Sequence, residues 1–396
     1  MSGPVLYRNA ALADGRSATL QVGMSVLVEA GRIAWIRPHD DEPDPGPGTT
    51  VVDAGGTTIV PGMVDAHSHL TLPGGSHWIE RVQDAPAALV EVAEDNALLL
   101  RQAGVRWARD VGSPRRVDPV DGRERALALG VRDRWSTRPS FPYVRAAGTW
   151  ISRSDVLPTA VAIEVADADA LLAAVHLQLD EGADLVKLYL DGPDEDVAPW
   201  TTDELTSVVS ACHGRDARVA AHATRLAGAQ RGAAAGVDSI EHGSEIDVAT
   251  ARTMVTNDVT LVSTLSVFAS WQTFARTTTL PRFTERGSAA AIRERSERAS
   301  ESVMTAHRAG VRIAAGTDFG GGSTRANQLP WEVELLVVAG LEPWEALGAV
   351  TWAGGAVLGE EDAGRLREGG PADLVLVHGD PVSDPSALWR IWRVSW

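Results

Sequence analysis

The stretch Val60-Pro-Gly-Met-Val-Asp-Ala-His-Ser-His-Leu70 decides how this chain folds. Its apolar run predicts a strand that starts at Met63 and ends in two histidines, His67 and His69. Side chains two residues apart on a strand point to the same side, so both imidazoles can reach one metal ion. Active sites of β/α barrels lie at the carboxyl ends of parallel strands, so this stretch predicts the first strand of such a fold.

Outward from this stretch, short apolar runs alternate with helical stretches, as in βαβ units. Several helical stretches close on a glycine, for example Gly104, Gly182 and Gly236, as helix C-termini often do. Eight such repeats predict an α/β fold, a (β/α)8 TIM barrel over residues 62–361. The eight strand segments are Met63–Leu70, Val105–Val111, Tyr143–Trp150, Asp184–Leu190, Arg218–Ala223, Asp238–His242, Val259–Ser266 and Val311–Asp318.

The two ends of the chain have a different pattern. Residues 1–61 contain short β-prone runs separated by Gly, Asp and Pro, and residues 373–377 read Asp-Leu-Val-Leu-Val, which is again strand-like. We therefore expect residues 1–61 and 362–396 to build one small β-sandwich domain, with residues 62–361 as the catalytic barrel domain.

The bulk composition excludes several classes of protein. A net charge of −17 argues against nucleic-acid partners and against anionic membrane surfaces. The single cysteine, Cys212, excludes an intramolecular disulfide framework. No signal peptide and no apolar run near the ~18 residues of a membrane span is visible. These features predict a cytoplasmic protein with a small-molecule substrate and no membrane partner, and they leave a homo-oligomer open.

Lys187 is the only lysine among the 36 basic residues of the Lys and Arg types. Arginine stays protonated, whereas a buried lysine can lose its proton and act as a neutral amine. Keeping one lysine in an arginine-rich chain therefore favours chemistry that needs such an amine. Taken alone, Lys187 could instead be a lysine that remains by chance in a sequence whose composition disfavours lysine.

Several more polar residues fall on or at the ends of the predicted strands. A lone histidine in an apolar strand is usually a core residue, but an ordered series of such residues is not expected by chance. Because parallel strands of a barrel end on one side, all members of the series would converge at one mouth. The six residues are His67, His69, Lys187, His222, His242 and Asp318.

This ordered series resembles the amidohydrolase superfamily, in its two-metal type with a carboxylated lysine. The stretch 60–70 is similar to the family's first barrel strand, and Arg109-Asp-Val-Gly112 to its second. Residues 364–377 are similar to its return to the small β domain. Ile240-Glu-His-Gly243 and residues 339–347 resemble the branch of imidazolonepropionase, Xaa-Pro dipeptidase-like enzymes, N-acyl-amino-acid carboxypeptidase-like enzymes and mycotoxin amidases.

The resemblance implies a role for each of the six residues. Two divalent metal ions would be bound, with zinc favoured by imidazole and oxygen ligands and Mn²⁺, Co²⁺ or Fe²⁺ left open. A metal-bridging hydroxide would attack the substrate, and Asp318 would carry its proton to the leaving amine. The implied assignments are His67, His69 and Asp318 for one metal, His222 and His242 for the other, a bridging carbamate on Lys187, and Asp318, Lys187 and His242 as catalytic residues.

Substrate contacts are predicted from residues close to the strand ends. Three tryptophans follow strand ends and favour a bulky apolar substrate, although packing over the barrel rim explains them equally well. An arginine beside strand three could bind a substrate carboxylate, and a tyrosine two residues after Lys187 could donate to a substrate oxygen. The predicted contacts are Tyr189, Trp78, Trp150, Arg153 and Trp271.

The function expected from this resemblance is hydrolysis of an amide C–N bond. The substrate would be an N-acyl amino acid, a dipeptide-like compound or a cyclic amide, with a bulky apolar group. The alternative is a lactonase or phosphotriesterase that uses the same binuclear site. A non-catalytic scaffold barrel is a remote alternative, because such a protein is expected to lose ligands and all six are present.

Overall fold

The computed structural model describes residues 3–157, 160–192 and 194–396. The strands are β1 (Val5–Leu12), β2 (Gln21–Glu29), β3 (Arg32–Pro38), β4 (Thr50–Asp53), β5 (Thr57–Pro61), β6 (Met63–Ser68), β7 (Val105–Asp110), β8 (Arg115–Val117), β9 (Glu124–Ala126), β10 (Tyr143–Ala146), β11 (Trp150–Arg153), β12 (Ala162–Val165), β13 (Leu185–Tyr189), β14 (Arg218–Ala223), β15 (Ser239–His242), β16 (Thr260–Ser263), β17 (Ile313–Ala315), β18 (Leu374–His378) and β19 (Ile391–Ser395).

Helices alternate with the strands in the middle of the chain. Several begin at a capping side chain. Asp167 and Asp247, for example, each accept a hydrogen bond from the backbone N–H of the residue three positions later. The α-helices are α1 (Trp78–Arg81), α2 (Pro86–Gln102), α3 (Leu127–Trp135), α4 (Ala168–Asp180), α5 (Thr202–His213), α6 (Leu226–Ala235), α7 (Val248–Thr256), α8 (Ser266–Thr277), α9 (Pro281–Thr284), α10 (Ser288–Ala309), α11 (Leu329–Ala339), α12 (Pro343–Ala349) and α13 (Trp352–Leu358).

Each of the eight strand segments predicted for the middle of the chain contains a parallel strand. Together with β11 and β12, these eight strands form a three-stranded sheet, β10-β7-β6, and a seven-stranded sheet, β12-β11-β13-β14-β15-β16-β17. Isolated parallel bridges, Ser68 to Phe319 and Ala147 to Leu185, lie between the edges of these two sheets. The α/β class with parallel strands is thus confirmed, while closure into one continuous eight-stranded barrel stays a prediction.

One predicted strand is wrong in its second half. The segment Tyr143–Trp150 contains β10 and then a break, and Trp150 instead opens the additional strand β11. At the break, a Cβ atom on Gly148 would lie 1.7 Å from Oε1 of Gln178 on α4. Gln178 donates to the carbonyl oxygen of Thr149, so the helix holds the chain in this turn. The β8–β9 hairpin and β12 were also not predicted from the sequence.

Strands from both ends of the chain form a third sheet, in the order β19-β18-β5-β1-β2-β3 with β4 paired to β1. It buries its own apolar cluster, which includes Tyr7, Ile33, Ile59 and Leu374. Fully burying a side chain of this size contributes about 1.5–3 kcal/mol. That this sheet belongs to a β-sandwich, and that domains divide at 1–61 with 362–396 and at 62–361, stay predictions.

The main core lies between the parallel strands and their helices. On β13, Val186 and Leu188 are fully buried in this core and alternate with Lys187, so the opposite face of the strand is left for the lysine. This alternation explains how one strand serves both the core and a polar site. Among the described residues, every helix is too short or too polar to cross a membrane.

Candidate metal centre and substrate cavity

Three of the predicted ligands lie at one point of the structure. Oδ1 of Asp318 lies 3.1 Å from Nε2 of His69 and 3.5 Å from Nε2 of His67. One ligand atom from each residue falls within 4.8 Å of the others, and all three residues are buried. The backbone holds this arrangement, because the amide of Asp318 donates to the carbonyl of His67 at 2.8 Å. The triad therefore has the donor types and spacing of a divalent metal site.

The other ring nitrogen of each histidine in this triad has a protein partner. Nδ1 of His67 lies 2.6 Å from Oε2 of Glu241, and Nδ1 of His69 lies 2.7 Å from the carbonyl oxygen of Gly112. A partner on Nδ1 orients the ring and leaves Nε2 for a metal ion. Both Nε2 atoms face Asp318, so the hydrogen bonds and the ligand geometry agree.

His222 and His242 form a second pair beside the first. Their ring centroids are 4.6 Å apart, and the ring of His242 lies 4.7 Å from that of His67. Nε2 of His222 lies 3.1 Å from Asp191, and Nδ1 of His242 lies 2.8 Å from Oγ1 of Thr264. Each of these rings therefore also has one nitrogen held by the protein and one nitrogen left over.

Burial keeps the imidazoles of His67 and His242 neutral. The pKa of His67 and that of His242 lie well below their ordinary value, because burial and then neighbouring positive groups disfavour the protonated ring. The neutral imidazole is the form that binds a metal ion. Asp191 behaves in the opposite way: although burial raises its pKa, hydrogen bonds and charge from His222 and Thr224 hold it at about 2.

Lys187 is buried with no hydrogen-bond partner. Its side chain is 1% exposed, and Nζ makes no hydrogen bond to any described residue. Burial is the main reason why the pKa of its amine falls to about 8, despite the carboxylates of Glu241 and Asp318 nearby. An orphaned buried amine that loses its proton easily fits a lysine that reacts with carbon dioxide to form an anionic carbamate.

Glu241 and Arg109 were quoted within sequence motifs, but no role was predicted for either. Arg109 on β7 donates from Nη2 to Oε1 of Glu241 at 2.6 Å, and Ser239 donates to the same oxygen at 2.5 Å. Burial raises the pKa of Glu241, but the charges of Arg109 and Lys187 bring it below its ordinary value. A carboxylate directly before His242 in a predicted strand was the signal that could have identified Glu241.

The six predicted ligands line one cavity of about 390 Å³. Four of the five predicted substrate contacts, Trp78, Trp150, Trp271 and Tyr189, line the same cavity. Trp150 packs edge-on against His69 at 4.9 Å between ring centroids, and burial raises the pKa of the Tyr189 phenol to about 12. The remaining apolar lining is contributed by Leu157, Val161, Val267 and Phe268.

The structure does not bring Arg153 to this cavity. Its guanidinium donates to the carbonyl oxygen of Pro199 at 2.8 Å and lies 5.1 Å from the ring centroid of Trp200. The cavity arginines are instead Arg225, Arg295 and Arg298. Arg295 and Arg298 are exposed on α10, so they lie at the solvent-facing rim of the cavity.

Comparison with known proteins decides the family. A sequence model of the Amidohydrolase family matches residues 58–393. The chain belongs to the amidohydrolase family. Amidohydrolases generally use divalent metal ions, and the buried triad of His67, His69 and Asp318 supplies suitable donors in this one. The predicted family is thereby confirmed, and the chain is a hydrolase of C–N bonds.

This chain is similar to three sequence relatives and one solved structure, of which the imidazolonepropionase and the putative prolidase support the named branch. An uncharacterised protein of Mycobacterium tuberculosis is 30% identical over 94% of this chain and 93% of its own length. The ochratoxinase of Aspergillus niger is 28% identical over 56% of this chain and 47% of its own. The imidazolonepropionase of Salinispora tropica is 25% identical over 93% and 88%. The structure of a putative prolidase from Bifidobacterium longum superposes with a TM-score of 0.82, at 25% identity, over 100% of this chain and 93% of that one.

Proposed function

We propose that this amidohydrolase cleaves an amide C–N bond in a small molecule with a bulky apolar group. Two divalent ions, which we expect to be zinc, and a carbamate on Lys187 would complete the site. The observation that carries the proposal is one cavity lined by four oriented imidazoles, the Asp318 carboxylate and an unpartnered buried amine. N-acyl amino acids, dipeptide-like compounds and cyclic amides are the candidate substrates.

The arrangement of the ligands supports two ions rather than one. His67, His69 and Asp318 would hold the first ion, and His222 and His242 the second. Lys187 and Tyr189 lie on β13, which pairs with the parallel strand β14. In this pairing Tyr189 lies opposite His222 of β14. Lys187, as a carbamate, would add an anionic ligand to those that hold the ions. When bound, such ions polarise a carbonyl and lower the pKa of water, so that a nucleophile is available at neutral pH.

Asp318 is the group that we assign to proton transfer. Its Oδ1 faces the two histidines, whereas a Cβ atom on Gly322 would lie 2.3 Å from Oδ2. Glycine at 322 therefore leaves room beside Oδ2. We assign to Asp318 the removal of the proton from the attacking water and its delivery to the leaving nitrogen, a general base that becomes a general acid.

The aromatic lining supports a bulky substrate. Trp271 donates from Nε1 to Oγ of Ser323 at 3.1 Å, and its ring lies edge-on to Phe268 with centroids 5.5 Å apart. These contacts fix the indole at the cavity wall, so the apolar surface is already formed when substrate arrives. Such a wall excludes water from one side of the scissile bond and stabilises an aromatic or long acyl group.

A substrate panel on metal-loaded protein tests the proposal. The panel holds the apolar group constant and varies the bond: N-acyl amino acid, dipeptide, cyclic amide, lactone and phosphotriester. We expect the highest kcat/KM on an amide. A lactone or phosphotriester that is hydrolysed faster than every amide would favour the alternative chemistry. If the protein binds two ions but hydrolyses no member of the panel, the result would favour a non-catalytic scaffold barrel.

We also propose that the parallel strands close into a (β/α)8 barrel and that the terminal sheet belongs to a β-sandwich domain. Residues 1–61 with 362–396 would form the small domain and residues 62–361 the catalytic one. The bridge from Ser68 to Phe319 and that from Ala147 to Leu185 support closure. A crystal structure of the metal-loaded protein tests this, since an open gap between β6 and β17 would contradict it.

A further inference from the structure

Three arginines lie on one side of the cavity. Arg295 and Arg298 belong to α10 and are three residues apart, so they share one face of that helix. Arg225 precedes α6 and lines the same cavity, together with the carboxylate of Glu245. The three tryptophans of the lining come from different elements, namely α1, β11 and α8.

Glu245 is shared between two of these arginines. Its Oε1 accepts from Arg225 at 3.1 Å and from Arg298 at 2.9 Å, and its Oε2 accepts from the backbone N–H of Leu226 at 3.3 Å. One carboxylate shared by two guanidinium groups is poorly suited to bind a cationic ligand. At this edge the cavity lining itself contains three arginines and one glutamate.

Arg295 differs from its two neighbours. Arg225 also contacts Glu195 at 2.6 Å, and Arg298 lies 3.4 Å from Glu294. Within the described ranges, the guanidinium of Arg295 makes no hydrogen bond or ion pair, although the residue lines the cavity. All N–H donors of the Arg295 guanidinium are therefore available to a ligand in the cavity.

We propose that Arg295, assisted by Arg298, binds a carboxylate of the substrate. The inference rests on the proposed function and narrows its substrate class. A guanidinium fork recognises a carboxylate through two parallel hydrogen bonds, which a neutral amide does not match. The substrate would thus be an N-acyl amino acid with a large apolar acyl group and a free carboxylate, rather than a neutral cyclic amide.

Equilibrium binding tests this without turnover. N-(4-phenylbutanoyl)-L-alanine and its C-terminal carboxamide differ only in the charged group. Tryptophan fluorescence of chelator-treated, metal-free protein would report the Kd of each. We expect Arg295→Gln to weaken binding of the acid about tenfold or more, as loss of a charged hydrogen bond does, and to leave the carboxamide unchanged. Arg298→Gln should act in the same direction.

Arg293→Gln is the matched control, because Arg293 is exposed on the same helix but does not line the cavity. It should bind both ligands like the original protein. The acid's affinity should also fall with added salt, since charge attraction at a solvent-accessible rim is screened. Equal Kd values for acid and carboxamide in the original protein, or no change in Arg295→Gln, would overturn the carboxylate assignment.

Kinetics on the zinc-loaded enzyme separate this inference from the proposed function. We expect kcat/KM to favour the acid over the carboxamide, and Arg295→Gln to remove most of that preference through KM. If the enzyme cleaves both compounds equally, amide hydrolysis stands and the carboxylate site fails. If it cleaves neither compound while binding still discriminates between them, the carboxylate site stands and the proposed amide hydrolysis fails.

Discussion

Glu241 and His67 share a hydrogen bond of 2.6 Å in the interior, where both side chains are almost fully buried. The other oxygen of Glu241 accepts from Arg109, whose side chain is equally buried. Three strands, β6, β7 and β15, therefore fix the orientation of one imidazole. A buried ion pair of this kind is stable only while it is complete, because removing one partner leaves an uncompensated charge.

The first prediction follows from this contact. Glu241→Gln keeps the size of the side chain but removes the charge that holds both Nδ1 of His67 and Arg109. Loss of such a partner typically lowers metal affinity by 10–100-fold, so we expect about that loss in a chelator competition titration. The melting temperature should fall as well, because Arg109 would stay buried without its counter-ion.

The control for this experiment is Glu297→Gln, because Glu297 lies exposed on α10 and is not part of the cavity lining. That variant should keep the original metal affinity. An unchanged affinity in Glu241→Gln would show that the ring of His67 is held well enough by the backbone alone.

The second prediction concerns Lys187. Lys187→Arg conserves charge but provides no amine that can lose its proton, so we expect loss of activity and fewer than two bound metal ions. Lys187→Ala should regain part of its activity with short carboxylic acids, which can stand in for a carbamate. ¹³C NMR of protein supplied with labelled bicarbonate should show a carbamate signal that Lys187→Ala lacks. Full activity of the arginine variant would exclude the carbamate.

Much of the site could be predicted from sequence because strand ends determine where ligands meet. His67, His69, Lys187, His222, His242 and Asp318 follow from their places on parallel strands, and they do line one cavity. Partners such as Glu241, Arg109 and Asp191 depend on which strands become neighbours and in which register. No local pattern contains that information.

Contacts from distant elements decide two placements that the sequence did not predict. Arg153 was predicted as a substrate contact, and in the structure its guanidinium donates to the carbonyl oxygen of Pro199. Similarly, the strand expected to reach Trp150 breaks at Gly148, where Gln178 approaches the backbone. In each case a contact from a distant element decided the outcome, and local residue preferences do not reveal such contacts.

The third prediction concerns the only cysteine. Cys212 lies on α5 with no exposed surface, and burial, reinforced by the negative charge of Asp238, raises the pKa of its thiol to about 12. At pH 8 roughly one thiol in ten thousand would then be ionised, and the thiolate is the reactive form. Native protein should resist alkylation by iodoacetamide for hours, while denatured protein should take up one label per chain. Rapid labelling under native conditions would mean that α5 opens readily.

The last prediction tests the apolar wall. Trp271 is the most informative tryptophan to change, because its indole contacts Phe268 and Ser323 and, unlike Trp150, is not packed against a histidine of the centre. Burying one aromatic or long acyl group is worth about 1.5–3 kcal/mol, which corresponds to about a tenfold to hundredfold change in kcat/KM. We therefore expect the kcat/KM of Trp271→Ala to fall by that factor on a phenylbutanoyl substrate and to change little on the matching acetyl substrate.

Trp389→Ala is the control, because Trp389 is 46% exposed and precedes β19 in the terminal sheet, away from the cavity lining. It should leave both substrates unaffected. Equal losses on the phenylbutanoyl and acetyl substrates in Trp271→Ala would show that the indole supports the fold of α8 rather than the substrate. A loss confined to the bulky substrate would instead place the acyl group against α8, because truncating a side chain can discriminate between two acyl groups only where it contacts the part in which they differ.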